Sequence, residues 1–287
     1  DRRVRQQAQF ELVRRKAIDE LTTAARSVGH EVVARHGLWG CWQLGLESSQ
    51  QAVSVGPVFA DVLSGTATDE LQVQALRVVA DVVSRHGRLC FADSDRLALL
   101  NAARTLTESR NLRVAGFAAV TCGALGESED VGPLLTLLNR IDNNDPVARH
   151  QASMGLLSLG QRHPELLESL ATTAGAPARL GVLLALRRMA SPVVGSFLND
   201  AEPLIVAEAA RAINDEPIEA AQGALADLIE APGLDDNTLR RCMNAAYRRG
   251  LASDAAGVAG VAANVARSDA IRLVAVDLLR TWNQTQK

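Results

Sequence analysis

The feature that most constrains this chain is an apolar helical stripe that recurs along its whole length. Each copy begins with an aliphatic residue, which Arg follows in seven of the nine copies, and continues with apolar residues that cover one face of an α-helix. Successive copies are 27 to 39 residues apart. The nine copies begin at Val4-Arg5, Ala34-Arg35, Val73-Gln74, Leu112-Arg113, Ala148-Arg149, Ala178-Arg179, Ile205-Val206, Leu239-Arg240 and Ile271-Arg272.

A second apolar segment lies between successive copies and is also predicted to be helical. Neither helix of such a pair can bury its stripe alone, so neighbouring pairs must supply the core. We predict an all-α fold, a right-handed α-solenoid of about nine HEAT-like two-helix repeats. It is expected to form one domain over residues 1–287, excised from a longer multidomain protein. The intervening segments are 58–63, 97–106, 131–138, 166–170, 193–198, 218–229 and 255–265.

The composition of the chain and the positions of its glycines and prolines agree with this prediction. Aromatic residues make up only 3% of the chain, which disfavours sheets. Glycines within the predicted helices, such as Gly37, Gly40 and Gly155, indicate close approach of a neighbouring helix. Prolines are expected to begin helices, because the first turn needs no N–H partner. These prolines are Pro57, Pro133, Pro146, Pro164, Pro177, Pro192, Pro203 and Pro217.

No motif for catalysis, metal binding or cofactor binding is found. The four cysteines form no Cys-x-x-Cys, and the five histidines form no His-x-x-x-His, so we predict free thiols and no zinc site. Phosphate-binding glycine loops and nucleophile elbows are absent. A net charge of −3 argues against nucleic-acid binding, and no stretch is long enough to insert into a membrane. We therefore predict that this segment is not an enzyme and carries no cofactor.

The recurring arginines are the most regular polar feature, and two interpretations are open. They could form a basic ladder for acidic partners. They could instead be structural, tied to turn aspartates and helix-terminal carbonyl groups of the neighbouring repeat, which is the interpretation we favour. The predicted ladder comprises Arg5, Arg35, Arg113, Arg149, Arg179, Arg240 and Arg272.

Three residues are candidates for binding a partner on the concave face of the stack: His36, Trp42 and His150. Tryptophan is favoured at the energetic centres of interfaces. The alternative is that the histidines are hydrogen-bonded structural residues. Trp39, on the same predicted helix as Trp42, is expected to fill a core gap left by Gly37 and Gly40.

Two stretches and a late tryptophan resemble the HEAT region of large planctomycete-type membrane-associated dehydrogenase proteins. In that family a sorbosone-dehydrogenase-like propeller precedes the region and a haem-binding Cys-x-x-Cys-His domain follows it. Gly37 stands where the family more often has Ala, and neither flanking motif occurs here, so no redox residue can be assigned. The resemblance is carried by residues 34–45, by 208–218 with 240–250, and by Trp282.

The resemblance implies a periplasmic or cell-envelope module that positions redox domains of a parent dehydrogenase. From the residues alone we predict a protein-interaction or scaffolding module. An inert spacer between catalytic domains is the alternative, and a HEAT-like nucleic-acid-binding enzyme is a third. The partner would be another protein or flanking domains of the same chain.

Small residues inside the helical stripes are predicted to permit close helix packing. We expect replacement of Ala209 or Ala245 by Trp to unfold the stack locally, because the larger side chain separates the helices. Thermal melting followed by circular dichroism would show this as a lowered Tm. Unchanged melting of both variants would contradict the packing prediction.

Overall fold

The computed structural model describes residues 1–27, 29–216 and 218–282. Within these ranges every regular element is helical, which confirms the predicted all-α helical-repeat class. By packing, the chain divides into two compact units, Asp1–Leu166 and Leu167–Lys287, and each is described separately. One continuous domain, and the handedness of the stack, remain predictions.

Unit 1 alternates helices that contain a copy of the repeated stripe with helices that do not. We call the first kind motif helices (α1, α3, α5, α7 and α9) and the second kind intervening helices. A short 3₁₀ turn, Ser128–Asp130, leads into α8. The helices are α1 Arg2–Arg14, α2 Ile18–Ala25, α3 Glu31–Glu47, α4 Ser49–Ser64, α5 Asp69–His86, α6 Asp93–Leu106, α7 Leu112–Leu125, α8 Val131–Ile141 and α9 Pro146–Gly160.

Unit 2 repeats this alternation. Its motif helices are α11, α12, α14 and α16. Helix α10 begins in unit 1 and ends in unit 2. The elements are α10 Pro164–Thr173, α11 Ala176–Arg188, a 3₁₀ helix Pro192–Asn199, α12 Pro203–Asp215, α13 Glu219–Asp227 followed by a 3₁₀ turn Leu228–Glu230, α14 Asp236–Arg249, α15 Ala252–Ala263 and α16 Asp269–Thr281.

Glycine determines how closely some helices of unit 1 approach one another. A Cβ atom on Gly37 of α3 would lie 2.7 Å from the carbonyl carbon of Ala24 on α2. Gly123 of α7 contacts Gly155 of α9, and a Cβ atom on Gly123 would lie 2.5 Å from the Gly155 Cα. Helix α7 therefore touches α9 backbone to backbone, as the glycines in the sequence predicted.

Two predictions about the intervening segments were wrong. Pro57 does not begin a helix but lies inside α4. The helix accommodates it because Pro57 and Val53 are both exposed, so water can reach the Val53 carbonyl that loses its partner. Segment 193–198 is a 3₁₀ helix, not an α-helix. The expectation for Pro217 lies outside the described residues.

Gly123→Ala tests the backbone contact. We expect it to lower the free energy of unfolding by about 1–3 kcal/mol, because the new methyl group would overlap the α9 backbone. Gly260→Ala in α15 is the matched control: open space surrounds that position, so the same change should raise stability by about 0.5–1 kcal/mol. Urea unfolding of both variants provides the measurement. Equal effects would contradict the assigned role of Gly123.

Candidate functional site

The candidate site is a cleft of about 340 Å³ in unit 1, formed by α1, α3 and α5. Amide, aromatic and charged side chains line it, a composition typical of polar recognition sites with hydrophobic contact area. We call it the tryptophan cleft. Its lining consists of Arg2, Gln6, Gln9, Phe10, His36, Trp39, Trp42, Gln43, Gln74, Arg77, Val78 and Asp81.

A chain of hydrogen bonds joins α1 to α3 within the cleft. The Nδ1 atom of His36 lies 2.7 Å from the Gln9 Oε1 atom. Gln9 Nε2 donates to Gln43 Oε1 at 2.8 Å. An amide oxygen can only accept, so the His36 proton resides on Nδ1. Gln9 is the buried residue of α1, so these hydrogen bonds join α1 to α3 at the point where α1 is buried.

A second set of hydrogen bonds joins α3 to α5. The indole Nε1 of Trp39 donates to Gln74 Oε1 at 3.1 Å, and Gln74 Nε2 donates to Glu70 Oε1 at 2.7 Å. The His36 ring packs edge-on against Trp39 with their centroids 5.4 Å apart. Trp39 therefore lines the cleft. The prediction that it fills the gap at Gly37 and Gly40 was wrong.

The gap at those glycines is filled by α2. A Cβ atom on Gly37 or Gly40 would meet the backbone of Ala25 or the side chain of Leu21. Removing both Cβ atoms lets α2 approach α3, so no large side chain is needed there. The sequence indicated the close contact correctly but assigned it to the wrong neighbour.

Trp42 differs from Trp39 in one respect that concerns function. Its indole Nε1 is buried and has no hydrogen-bond acceptor among the described residues. A buried N–H without an acceptor costs about 1–3 kcal/mol. This N–H is closed to solvent, so a ligand oxygen could accept from it, and recover part of this free energy, only after the atoms that cover it move aside. The sequence-based expectation that Trp42 binds a partner is therefore compatible with its position in the cleft.

The electrostatic surroundings of His36 are positive. Burial lowers the pKa of His36, and the charges of Arg5, Arg35 and Arg2 lower it further. The imidazole is therefore neutral at pH 7, with its Nδ1–H committed to Gln9. His150, the other candidate histidine, is exposed on α9 and does not line the cleft.

Two arginines of the predicted ladder contact carboxylates of a neighbouring repeat. Arg113 on α7 donates to Glu70 on α5 at 2.5 Å. Arg179 makes two hydrogen bonds of 2.8 Å to Asp200, which precedes α12. The Asp200 pKa is lowered, chiefly by these hydrogen bonds. Both contacts agree with the interpretation that the ladder arginines are structural.

Among the described residues, none of the other five ladder positions contacts a carboxylate of another repeat, although Arg272 reaches a carbonyl group at the end of α15, as the structural interpretation predicted. Arg35 pairs with Glu31 on its own helix, Arg149 donates to Asn143 O at 3.4 Å, and Arg272 donates to Ala262 O at 3.1 Å and to Asp269 at 3.0 Å. Arg5 and Arg240 are exposed. A uniform ladder is therefore not formed.

Arginines outside the repeated stripe also bind helix ends, as Arg179 and Arg272 of the ladder do at α10 and α15. Arg140 donates to the carbonyls of Thr107, Glu108 and Ser109 at 2.7 to 3.0 Å. Arg162 donates to the Gly123 carbonyl at 2.6 Å. Cations suit helix C-termini, where carbonyl groups lack intrahelical partners. The sequence signal that was missed is an Arg at the C-terminal end of a helix. Arg140 at the end of α8 binds the end of α6, and Arg162 after α9 binds the end of α7.

The four cysteines are buried, as a free-thiol interpretation requires. Burial raises the thiol pKa to about 12 at Cys41, Cys122 and Cys242 and to about 11 at Cys90. Within the described ranges, no group of three or more His, Cys, Asp or Glu could hold a metal ion. In the same ranges, none of the helices combines the length and apolarity needed to span a bilayer.

No family model matches the chain, and none of the curated proteins matches it. Among solved structures, it is similar to an engineered protein at 18% identity, covering 96% of this chain and 81% of the other, with a TM-score of 0.45. A designed armadillo repeat protein in complex with the peptide (KR)4 is 12% identical, covering 92% and 98%, with a TM-score of 0.41. Human deoxyhypusine hydroxylase in complex with glycerol is 14% identical, covering 94% and 98%, with a TM-score of 0.32.

The surroundings of His36 predict its titration. We expect its pKa, measured by NMR, to lie below the ordinary value of 6.5, and Arg5→Gln to raise it part of the way back. Its contribution to stability is complete above pH 6.5 and is lost as the pH falls towards the lower folded-state pKa. Arg240→Gln, an exposed arginine in the other unit, is the control. An unchanged His36 pKa in Arg5→Gln would contradict the claim that the charge of Arg5 lowers this pKa.

Proposed function

We propose that this chain is a polypeptide-binding module and not an enzyme, and that its tryptophan cleft receives a segment of the partner. The observation that carries the proposal is the buried indole N–H of Trp42, which belongs to the lining of the cleft and lacks an acceptor among the described residues. Main-chain carbonyl groups of a peptide are abundant acceptors for such a donor. Tryptophan also supplies large contact area at low cost in conformational entropy.

The surface around the cleft favours an extended segment over a compact small molecule. Asp81 lines the tryptophan cleft and also a second cleft of about 560 Å³ formed by α5, α7 and α9. The two clefts thus lie along five successive motif helices of unit 1. Packed helices are about 8–10 Å apart, so the four intervals of this row span roughly 32–40 Å. An extended chain rises about 3.3 Å per residue, so about a dozen residues would cover the row.

The identity of the partner is a further proposal, and it rests on the sequence resemblance alone. A segment of a flanking redox domain, or of a separate protein at the cell envelope, would occupy the cleft, and the module would hold that domain in position. The inert-spacer alternative differs in one respect: a spacer needs no ligand in the cleft.

A random twelve-residue peptide library displayed on phage and selected on the full chain tests the binding function. We expect selected peptides to bind the wild type and to bind Trp42→Phe about fivefold more weakly, because one hydrogen bond of about 1 kcal/mol is lost. Trp282→Phe in unit 2 is the matched control and should bind like the wild type. Affinities are measured by fluorescence anisotropy.

Two results would contradict the binding function. One is a selection that enriches no peptide, which the spacer alternative predicts. The other is equal weakening by Trp42→Phe and Trp282→Phe, which would show that the cleft is not the binding site. Circular dichroism of both variants confirms that they are folded to the same extent.

A further inference from the structure

The hydrogen-bonding inventory of the tryptophan cleft is unbalanced towards donors. The side-chain oxygens of Gln9, Gln43 and Gln74 are all occupied, because they accept from His36, Gln9 and Trp39 respectively. The buried N–H of Trp42 remains without an acceptor among the described residues. Each of these oxygens keeps one lone pair, and Gln6, Asp81 and the His36 Nε2 atom are further acceptors of the lining, but the N–H groups of the arginines, glutamines and Trp42 outnumber them. The cleft is therefore suited to a ligand rich in acceptors.

The charged side chains of the cleft also favour a ligand rich in acceptors. Two arginines, Arg2 and Arg77, line it against one carboxylate, Asp81. Within the described residues neither arginine forms an ion pair, although Arg77 lies one helical turn from Asp81 and rests on the Phe117 ring at 5.5 Å. Arg35, by contrast, is neutralised by Glu31. The lining thus carries a net positive charge, although the whole chain has a net charge of −3.

We propose that the tryptophan cleft selects an acidic polypeptide segment and places one of its carboxylates beside Trp42, between Arg2 and Arg77. This inference rests on the proposed function and adds the chemical class of the partner. Hydrogen bonds to a charged acceptor are roughly twice as strong as neutral ones, so a carboxylate gains more from the indole N–H than a main-chain carbonyl does. Asp81 sets the limit of the acidic stretch, because a second carboxylate beside it would be repelled.

The test uses three labelled twelve-residue peptides of alternating composition: Glu-Ser, Gln-Ser and Lys-Ser. Binding to the full chain is measured by fluorescence anisotropy at low and at physiological salt. We expect the Glu-Ser peptide to bind at least tenfold more tightly than the Gln-Ser peptide, and the preference to shrink as salt increases. The double variant Arg2→Gln, Arg77→Gln should abolish the preference, and Arg240→Gln should leave it intact.

A single-stranded twelve-nucleotide DNA is included because phosphate is also an acceptor-rich anion. Weaker binding of the DNA than of the Glu-Ser peptide supports the proposal, and equal or tighter binding overturns it. Equal affinity for the Glu-Ser and Gln-Ser peptides, tighter binding of the Lys-Ser peptide, or no binding of the Glu-Ser peptide at millimolar concentration would each overturn it too. Peptides enriched by the library would in those cases still establish polypeptide binding, so the two proposals fail separately.

Discussion

The architecture depends on how closely the backbones of neighbouring helices can approach one another. At Gly123 and Gly155 no side chain separates α7 from α9, and at Gly37 none separates α3 from α2. Such contacts maximise dispersion between atoms of the two backbones and exclude water from a layer that contains little aromatic volume. Each layer is stable only against its neighbour, so the helices stand in a row whose side chains form one surface.

The function proposed for that surface follows from where the close packing stops. At Gly123 and Gly155 the backbones of α7 and α9 touch directly, whereas other residues of the same two helices line the second cleft. Between α1, α3 and α5 the neighbouring positions carry Trp39, Trp42 and glutamines, which hold the helices apart by hydrogen bonds and leave a cleft. The helices of unit 1 are therefore in direct contact at some positions and line clefts at others, and the clefts are where we propose that a partner binds.

The sequence predicted the fold well because helical periodicity is a local property. All nine motif helices contain the stripe that identified them, and most of them bury it. Helix α1 is an exception, because Val4 of its stripe is exposed and Gln9 is its buried residue. Side-chain partners were predicted less well, because they depend on tertiary distances that no local pattern encodes. The ladder arginines share one position in the repeat, yet Arg179 reaches Asp200 while Arg240 is exposed. Trp39 and Trp42 look alike in sequence, and only the position of Gln74 distinguishes them.

The glycine contact also explains where this chain can change in length. A residue inserted within α7 or α9 would rotate everything after it by about 100° and carry Gly123 or Gly155 away from its partner. An insertion in a turn or an intervening segment leaves that angular register intact. The spacing between successive copies does vary, from 27 to 39 residues, although the stripe within each copy is kept. Within each unit, repeats of unequal length can thus keep their motif helices in register, and the intervening segments are the parts whose length is free to vary.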